Sequence, residues 1–141
     1  MHATGWILDT PAITFFAHAD PYAQAVVWAA VEQGATLLVP STALALACAT
    51  APSSVHDAIG VLLDLPVTVI DPLDRSRASD VGVLLAEADE PDEALTDWTA
   101  LAVAHVVAAC RVRGWAAITD GTARVHALDP RIEVKLLRRR S

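Results

Sequence analysis

Two aspartates stand where short apolar runs end. Asp9 follows Trp6-Ile7-Leu8, and Asp120 follows the run Trp115 to Thr119. If both runs are strands, the two carboxylates share the edge of a sheet where open α/β folds bind ligands. Hard divalent cations want oxygen donors, and Mg²⁺ is commonly held by one or two carboxylates while keeping several waters. A cation held this way activates water and stabilises a leaving oxygen, which is the chemistry of phosphodiester cleavage. The same residues have a plainer use, since an Asp at a strand end also caps a turn or the following helix. Spacing alone leaves both uses open.

Other chemistries are poorly supplied. No glycine-rich loop follows the first apolar run, so dinucleotide and P-loop phosphate binding are not expected. Pro11 occupies the place where a haloacid-dehalogenase phosphatase carries its second aspartate. No Gly-x-Ser-x-Gly is present, and a receiver domain's early acid pair and late lysine are missing; the lone lysine is Lys135. The five histidines show no metal-ligand spacing, and His105, on an otherwise apolar helix, reads as a satisfied core or edge histidine. Cys48 and Cys110 read as buried thiols of a reduced cytoplasmic protein.

Composition bounds the rest. The chain has 141 residues, 54% of them hydrophobic, and a net charge of −7. Mean hydropathy is +0.41. That length suits one domain with a real core, and the apolar content excludes disorder. The negative charge argues against a broad nucleic-acid footprint but leaves room for a small basic groove. No charge-free apolar run is long enough for a membrane span, and the first residues lack the basic start of a signal peptide.

The pattern of elements alternates. Strands are expected at Trp6–Leu8, Thr36–Val39, Val67–Ile70, Trp115–Thr119 and Ile132–Leu136. Helices are expected at Ala12–Ala19, at Tyr22–Gln33 between Asp20-Pro21 and Gly34, and at Thr42–Thr50, which is apolar nearly all round and so reads as buried. Further helices follow at Val55–Leu63 capped by Ser53 or Ser54, at Asp74–Ala88, and at Trp98–Arg113 capped by Thr96 or Asp97. A short turn or helix spans Ala123–Leu128. Asp89–Glu93 is an acidic loop, and residues 137–141 form a frayed basic tail with Arg138 to Arg140. Strands alternating with helices predict a mostly parallel sheet of four or five strands, covered on both faces, in one domain.

In order and spacing, the chain resembles a PIN domain, the fold of the VapC ribonuclease toxins. The markers are Ile7-Leu8-Asp9-Thr10, Leu38-Val39-Pro40 opening a helix, Ala104-His105-Val106-Val107, and Gly114-Trp115 through Ile118-Thr119-Asp120 into Leu128-Asp129-Pro130. Together they span nearly the whole chain. The resemblance implies an α/β/α sandwich, a cluster of three or four acids holding Mg²⁺ or Mn²⁺, an RNA substrate, self-association as a homodimer, and a small antitoxin-like or DNA-binding partner.

Carried over position by position, the acid cluster is incomplete. Its first member is Asp9. The glutamate six residues past the helix-opening proline falls on Leu46, the acid before Ala-His falls on Val103, and the last falls on Gly121. A generous alignment takes Asp120 as the last acid and Asp97 as the third, with Thr10 and Thr119 in support. Asp97 precedes Val103 by six residues, which along a helix is about 9 Å and a different face. A strict alignment keeps Asp9 alone. Arg111, Arg113, Arg124 and the basic tail are candidate phosphate contacts for RNA, because guanidinium groups pair well with phosphate. Two functions follow as expectations. One is a metal-dependent endoribonuclease using Asp9, Asp97 and Asp120, with Asp9 and Asp120 on the metal. The other is a catalytically inactive PIN-fold module acting through a partner or a second copy.

Overall fold

The computed structural model describes residues 4–88 and 98–137. Five strands form one sheet, all neighbours parallel: β1 (Gly5–Leu8), β2 (Thr36–Pro40), β3 (Thr68–Asp71), β4 (Ala116–Thr119) and β5 (Val134–Leu136), in the order β3-β2-β1-β4-β5. The helices are α1 (Thr10–Ala17), α2 (Pro21–Gln33), α3 (Ser41–Thr50), α4 (His56–Asp64), α5 (Arg75–Ala86), α6 (Trp98–Arg113) and α7 (Ala123–Leu128). The architecture is the expected α/β/α sandwich, and the expected element order is the observed one.

Local chemistry explains the boundaries. Asp20 caps α2 by accepting the Ala23 N–H at 2.9 Å, Pro21 opens the helix, and Gly34 closes it at φ 67, a left-handed conformation that glycine adopts without a Cβ penalty. Asp74 caps α5 by accepting the Arg77 N–H at 2.9 Å. Gly5 matters for another reason. A Cβ there would sit 2.4 Å from the Trp115 ring, so the indole lies directly on the first strand.

The core is aliphatic. Ile7, Leu8, Leu37, Leu38, Val39 and Ile118 of the central strands are fully buried with Ile13 and Phe16 of α1 and Leu62 of α4. Helix α6 is buried along nearly its full length and packs on β1, β2 and β4. Its small residues let a central helix lie close to the sheet. A second cluster joins Val81 and Leu84 of α5, Val103, Ala104, Val107 and Ala108 of α6, and Val125 of α7.

Three local expectations are corrected. Cys48 is exposed; Cys110 is buried, and burial pushes its thiol up to about 12. Helix α3 buries only Ala43 and Ala47; it packs on α6 and α1 and leaves Ala45 and Cys48 to Thr50 in solvent. Ser53 and Ser54 do not cap α4 with their side chains; they form a single 3₁₀ turn, Ser53–Val55, ahead of it. The acidic run Asp89–Glu93, the cap residues Thr96 and Asp97, and Arg138 to Arg140 lie outside the described residues.

Candidate functional site

The strand order places the site. The chain leaves β1 toward β2 on one side, and β4 returns on the other, so the reversal falls between β1 and β4. Open parallel sheets bind ligands at such a point, beyond the carboxyl ends of the strands. A cleft of about 480 Å³ lies there, and Asp9, Thr10, Leu46, Ala102, Val103, Thr119, Asp120, Gly121 and Arg124 are among the residues that line it. Asp9 follows β1 and Asp120 follows β4; the register Leu8↔Ile118 sets Asp9 beside Thr119, with Asp120 one residue further along.

Asp9 is almost fully buried and both of its oxygens are engaged. The Thr10 N–H donates to Oδ1 at 2.8 Å, and the Thr119 hydroxyl donates to Oδ2 at 2.8 Å. Its backbone carbonyl accepts the Ala12 N–H at 3.0 Å, so the residue is also the N-cap of α1. Burial pushes the Asp9 carboxyl above the ordinary carboxylate range. The two donors oppose that rise, the nearby Asp120 charge adds to it, and Arg124 opposes it. Thr10 spends its hydroxyl on the Ala43 carbonyl at 3.0 Å, which ties α1 to α3. Asp120 and Arg124 are both exposed.

Helices α3 and α6 supply the other side of the lining: Leu46 and Thr50 come from α3, and Thr99, Ala102 and Val103 come from α6. The three positions that the resemblance assigns to acids, Leu46, Val103 and Gly121, all face the same cleft as Asp9. Those three positions bring two aliphatic side chains and a glycine to the cleft.

These residues do not fit a divalent cation held by an acid cluster. Among the described residues no group of three His, Cys, Asp or Glu side chains is placed to share a metal ion. The carboxylates lining this cleft are the exposed Asp120 and the buried Asp9, whose ionised form is disfavoured. Mg²⁺ dehydrates reluctantly, and each missing carboxylate removes charge that would offset that cost.

The remaining candidates divide. Arg124 lines the cleft. Arg111 lies eight residues along α6 from Val103, about 12 Å of rise, and donates to Asp129 Oδ2 at 2.8 Å. Arg113 sits 5.4 Å from the centroid of the Trp115 ring. Neither is among the residues that line the cleft. Asp129 is buried and held well below the usual carboxylate range by hydrogen bonds from Arg131 and Arg111. Asp97 lies outside the described residues.

The residue that sequence reasoning missed is Asp71, the last residue of β3. It is buried and accepts from Arg77 Nε at 2.8 Å, and its Oδ2 lies 2.8 Å from His105 Nε2. His105 is fully buried, as a satisfied core histidine should be, with Thr42 Oγ1 2.8 Å from its Nδ1. Asp71-Pro72 after a strand could have signalled a third carboxylate at the same edge; of its partners Arg77 is six residues on, but His105 is 34 residues away.

No protein-family model matches the chain, and no curated protein matches it. A solved structure does: a chain of VapBC2 from Rickettsia felis, in a complex bound to a DNA fragment from their promoter. The TM-score is 0.68 at 11% identity, over 94% of this chain and 98% of that one. At that identity the likeness is one of fold. The fold is PIN-like, as the motifs implied.

Proposed function

We propose that this chain is a PIN-fold binding module whose cleft has lost metal-dependent RNA cleavage and receives a segment of a partner protein. The observation that carries this reading is the cleft lining: Leu46 and Val103 put apolar surface in the cleft with Asp9, where the nuclease chemistry needs carboxylates. Apolar lining with a few polar groups is the usual make-up of a site for an organic ligand or side chain. The VapBC2 neighbour is a complex bound to promoter DNA. By analogy, the proposed partner is a small antitoxin-like or DNA-binding protein, in a cytoplasmic setting. Self-association is part of the proposal. Tyr22 and Trp28 of α2 are 43% and 42% exposed, with Ala25 and Ala29 beside them, a face suited to a second copy.

The test is co-expression with a candidate partner, a small DNA-binding protein sought in the genes that adjoin this one, followed by affinity measurement on the pair. A Val103→Glu variant is expected to weaken the complex about tenfold or more, since it buries a charge in an apolar contact. Binding that ignores Val103→Glu and Leu46→Glu rejects the cleft as the docking site.

A second reading is kept because Asp9, Thr10, Thr119, Asp120 and Arg124 do line one cleft. In it the chain is a Mg²⁺- or Mn²⁺-dependent endoribonuclease, with Asp9 and Asp120 on the metal, Asp97 as a third acid, and Arg124 on an RNA phosphate. Cleavage of RNA by the wild-type protein in Mn²⁺, lost in Asp9→Asn, favours this reading over the first.

A further inference from the structure

A second cavity of about 480 Å³ lies where α1 turns into α2, and Thr14, Phe15, His18, Asp20, Thr50 and Ala51 are among the residues that line it. It adjoins the cleft, since Thr50 lines both. Pro11, which lines the cleft, stands three, four and seven residues before Thr14, Phe15 and His18. That spacing puts all four on one face of α1, so the two hollows follow one side of that helix.

The hydroxyl and carboxylate groups of this cavity are set to accept hydrogen bonds. The Thr14 hydroxyl donates to the Pro11 carbonyl at 3.2 Å, and the Thr50 hydroxyl donates to the Leu46 carbonyl at 2.8 Å. Each has spent its one hydrogen within its own helix, which leaves the oxygen as an acceptor. Asp20 accepts the Ala23 N–H at Oδ2, and among the described residues nothing donates to its Oδ1. Among the described residues that line the cavity there is no Lys or Arg, and Asp20 is the one carboxylate. The backbone acts in the same sense. Helices α1 and α3 both end here, at His18 and Ala51, and the carbonyl ends of helices favour cations. Helix α2 begins here, and Asp20 caps its positive end. Two negative helix ends and a carboxylate therefore stand against one positive end.

We propose that this cavity takes the cationic side chain, an arginine or a lysine, of the partner segment whose apolar residue enters the cleft.

The placement of that segment rests on the cleft reading above; the preference for a cation rests on the cavity itself. A guanidinium carries five N–H donors and no acceptor, the complement of these oxygens. Its aliphatic stem finds apolar surface on Phe15 and Ala51. The net charge of −7 draws a basic segment toward the chain from a distance. Pro11 to His18 is about 10 Å along α1, which about three residues of extended chain span. The partner is therefore expected to carry its cation about three residues from its apolar anchor.

The test titrates the isotope-labelled protein with acetyl-argininamide, and with acetyl-citrullinamide as its uncharged isostere, at about pH 7.5, where an ordinary imidazole is mostly neutral. Saturable NMR shifts are expected at the amides of His18, Asp20, Thr50 and Ala51 with the arginine compound, and binding about fivefold weaker or less with citrulline. Asn caps a helix as well as Asp does, so Asp20→Asn removes the charge and keeps the cap. That variant is expected to bind the arginine compound about fivefold more weakly at an unchanged melting temperature. Three results overturn the proposal: equal binding of the two compounds, no saturable shift at those amides up to about 50 mM ligand, or wild-type arginine binding in Asp20→Asn. Should Asp20→Asn fail to fold, the comparison of the two compounds decides alone. The probe needs no partner, so its failure leaves the cleft reading standing. With a partner in hand, binding that is lost in Val103→Glu and untouched by Asp20→Asn keeps the cleft and rejects the cavity.

Discussion

Asp9 has a structural role at the first strand that needs no metal. It caps α1, accepts the Thr119 hydroxyl and is nearly sealed from water. Its carboxyl is raised, so the folded chain binds more protons than the unfolded one between 3.8 and the folded value. Its contribution to stability therefore falls as pH rises through that window and stays low above it. Asp9→Asn keeps both contacts, with Thr119 turning from donor to acceptor, and removes the cost of a buried charge. Thermal melting at neutral pH is expected to show Asp9→Asn at least as stable as wild type, and a large fall in its melting temperature contradicts this account. Thr119→Val acts the other way. It leaves a buried carboxylate oxygen short of a donor, at a cost of about 1–3 kcal/mol, measurable by chemical denaturation. At this scale Asp9, Asp120 and His105 were readable from strand ends and helix pattern. Cys48 was not, because a helix apolar on every side does not say which side meets solvent, and α3 turned out to be half exposed.

Elements were read more accurately than contacts. Caps and stops marked them: Asp20-Pro21 and Gly34 bound α2, and Arg113-Gly114 ends α6. Asp74 was read as the first residue of its helix and is its cap. The link from Asp71 at the end of β3 to His105 in α6 was hidden, since partners 34 residues apart leave no periodic trace. Backbone demands at two glycines give tests of the elements. Gly34→Ala forces a Cβ into a left-handed C-cap at φ 67. It is expected to lower stability by about 1 kcal/mol. Gly5→Ala should cost more, about 1–3 kcal/mol, because the Trp115 ring must leave the first strand. Near-ultraviolet dichroism of the tryptophans reports that displacement, and an unchanged spectrum together with unchanged stability counts against the packing described.

The whole molecule is a PIN-like sandwich with a cleft beyond the carboxyl ends of β1 and β4, lined by Leu46 and Val103 as well as by Asp9 and Asp120. The topology was readable because alternating strands and helices admit few arrangements. The convergence of Leu46, Val103 and Gly121 on Asp9 was readable only through the resemblance, since those residues carry no chemical signal of their own. If the cleft geometry is right, Leu46→Glu with Val103→Asp rebuilds a cluster around Asp9 and Asp120. That double variant is expected to gain saturable Mn²⁺ binding, read by electron paramagnetic resonance, and its failure while folded argues that the four positions do not converge. The most direct test of the central claim is calorimetric titration of the wild-type protein with Mn²⁺ beside Asp9→Asn. The account predicts no saturable heat at millimolar metal in either protein. Saturable binding to the wild type that disappears in Asp9→Asn contradicts it and restores the nuclease reading.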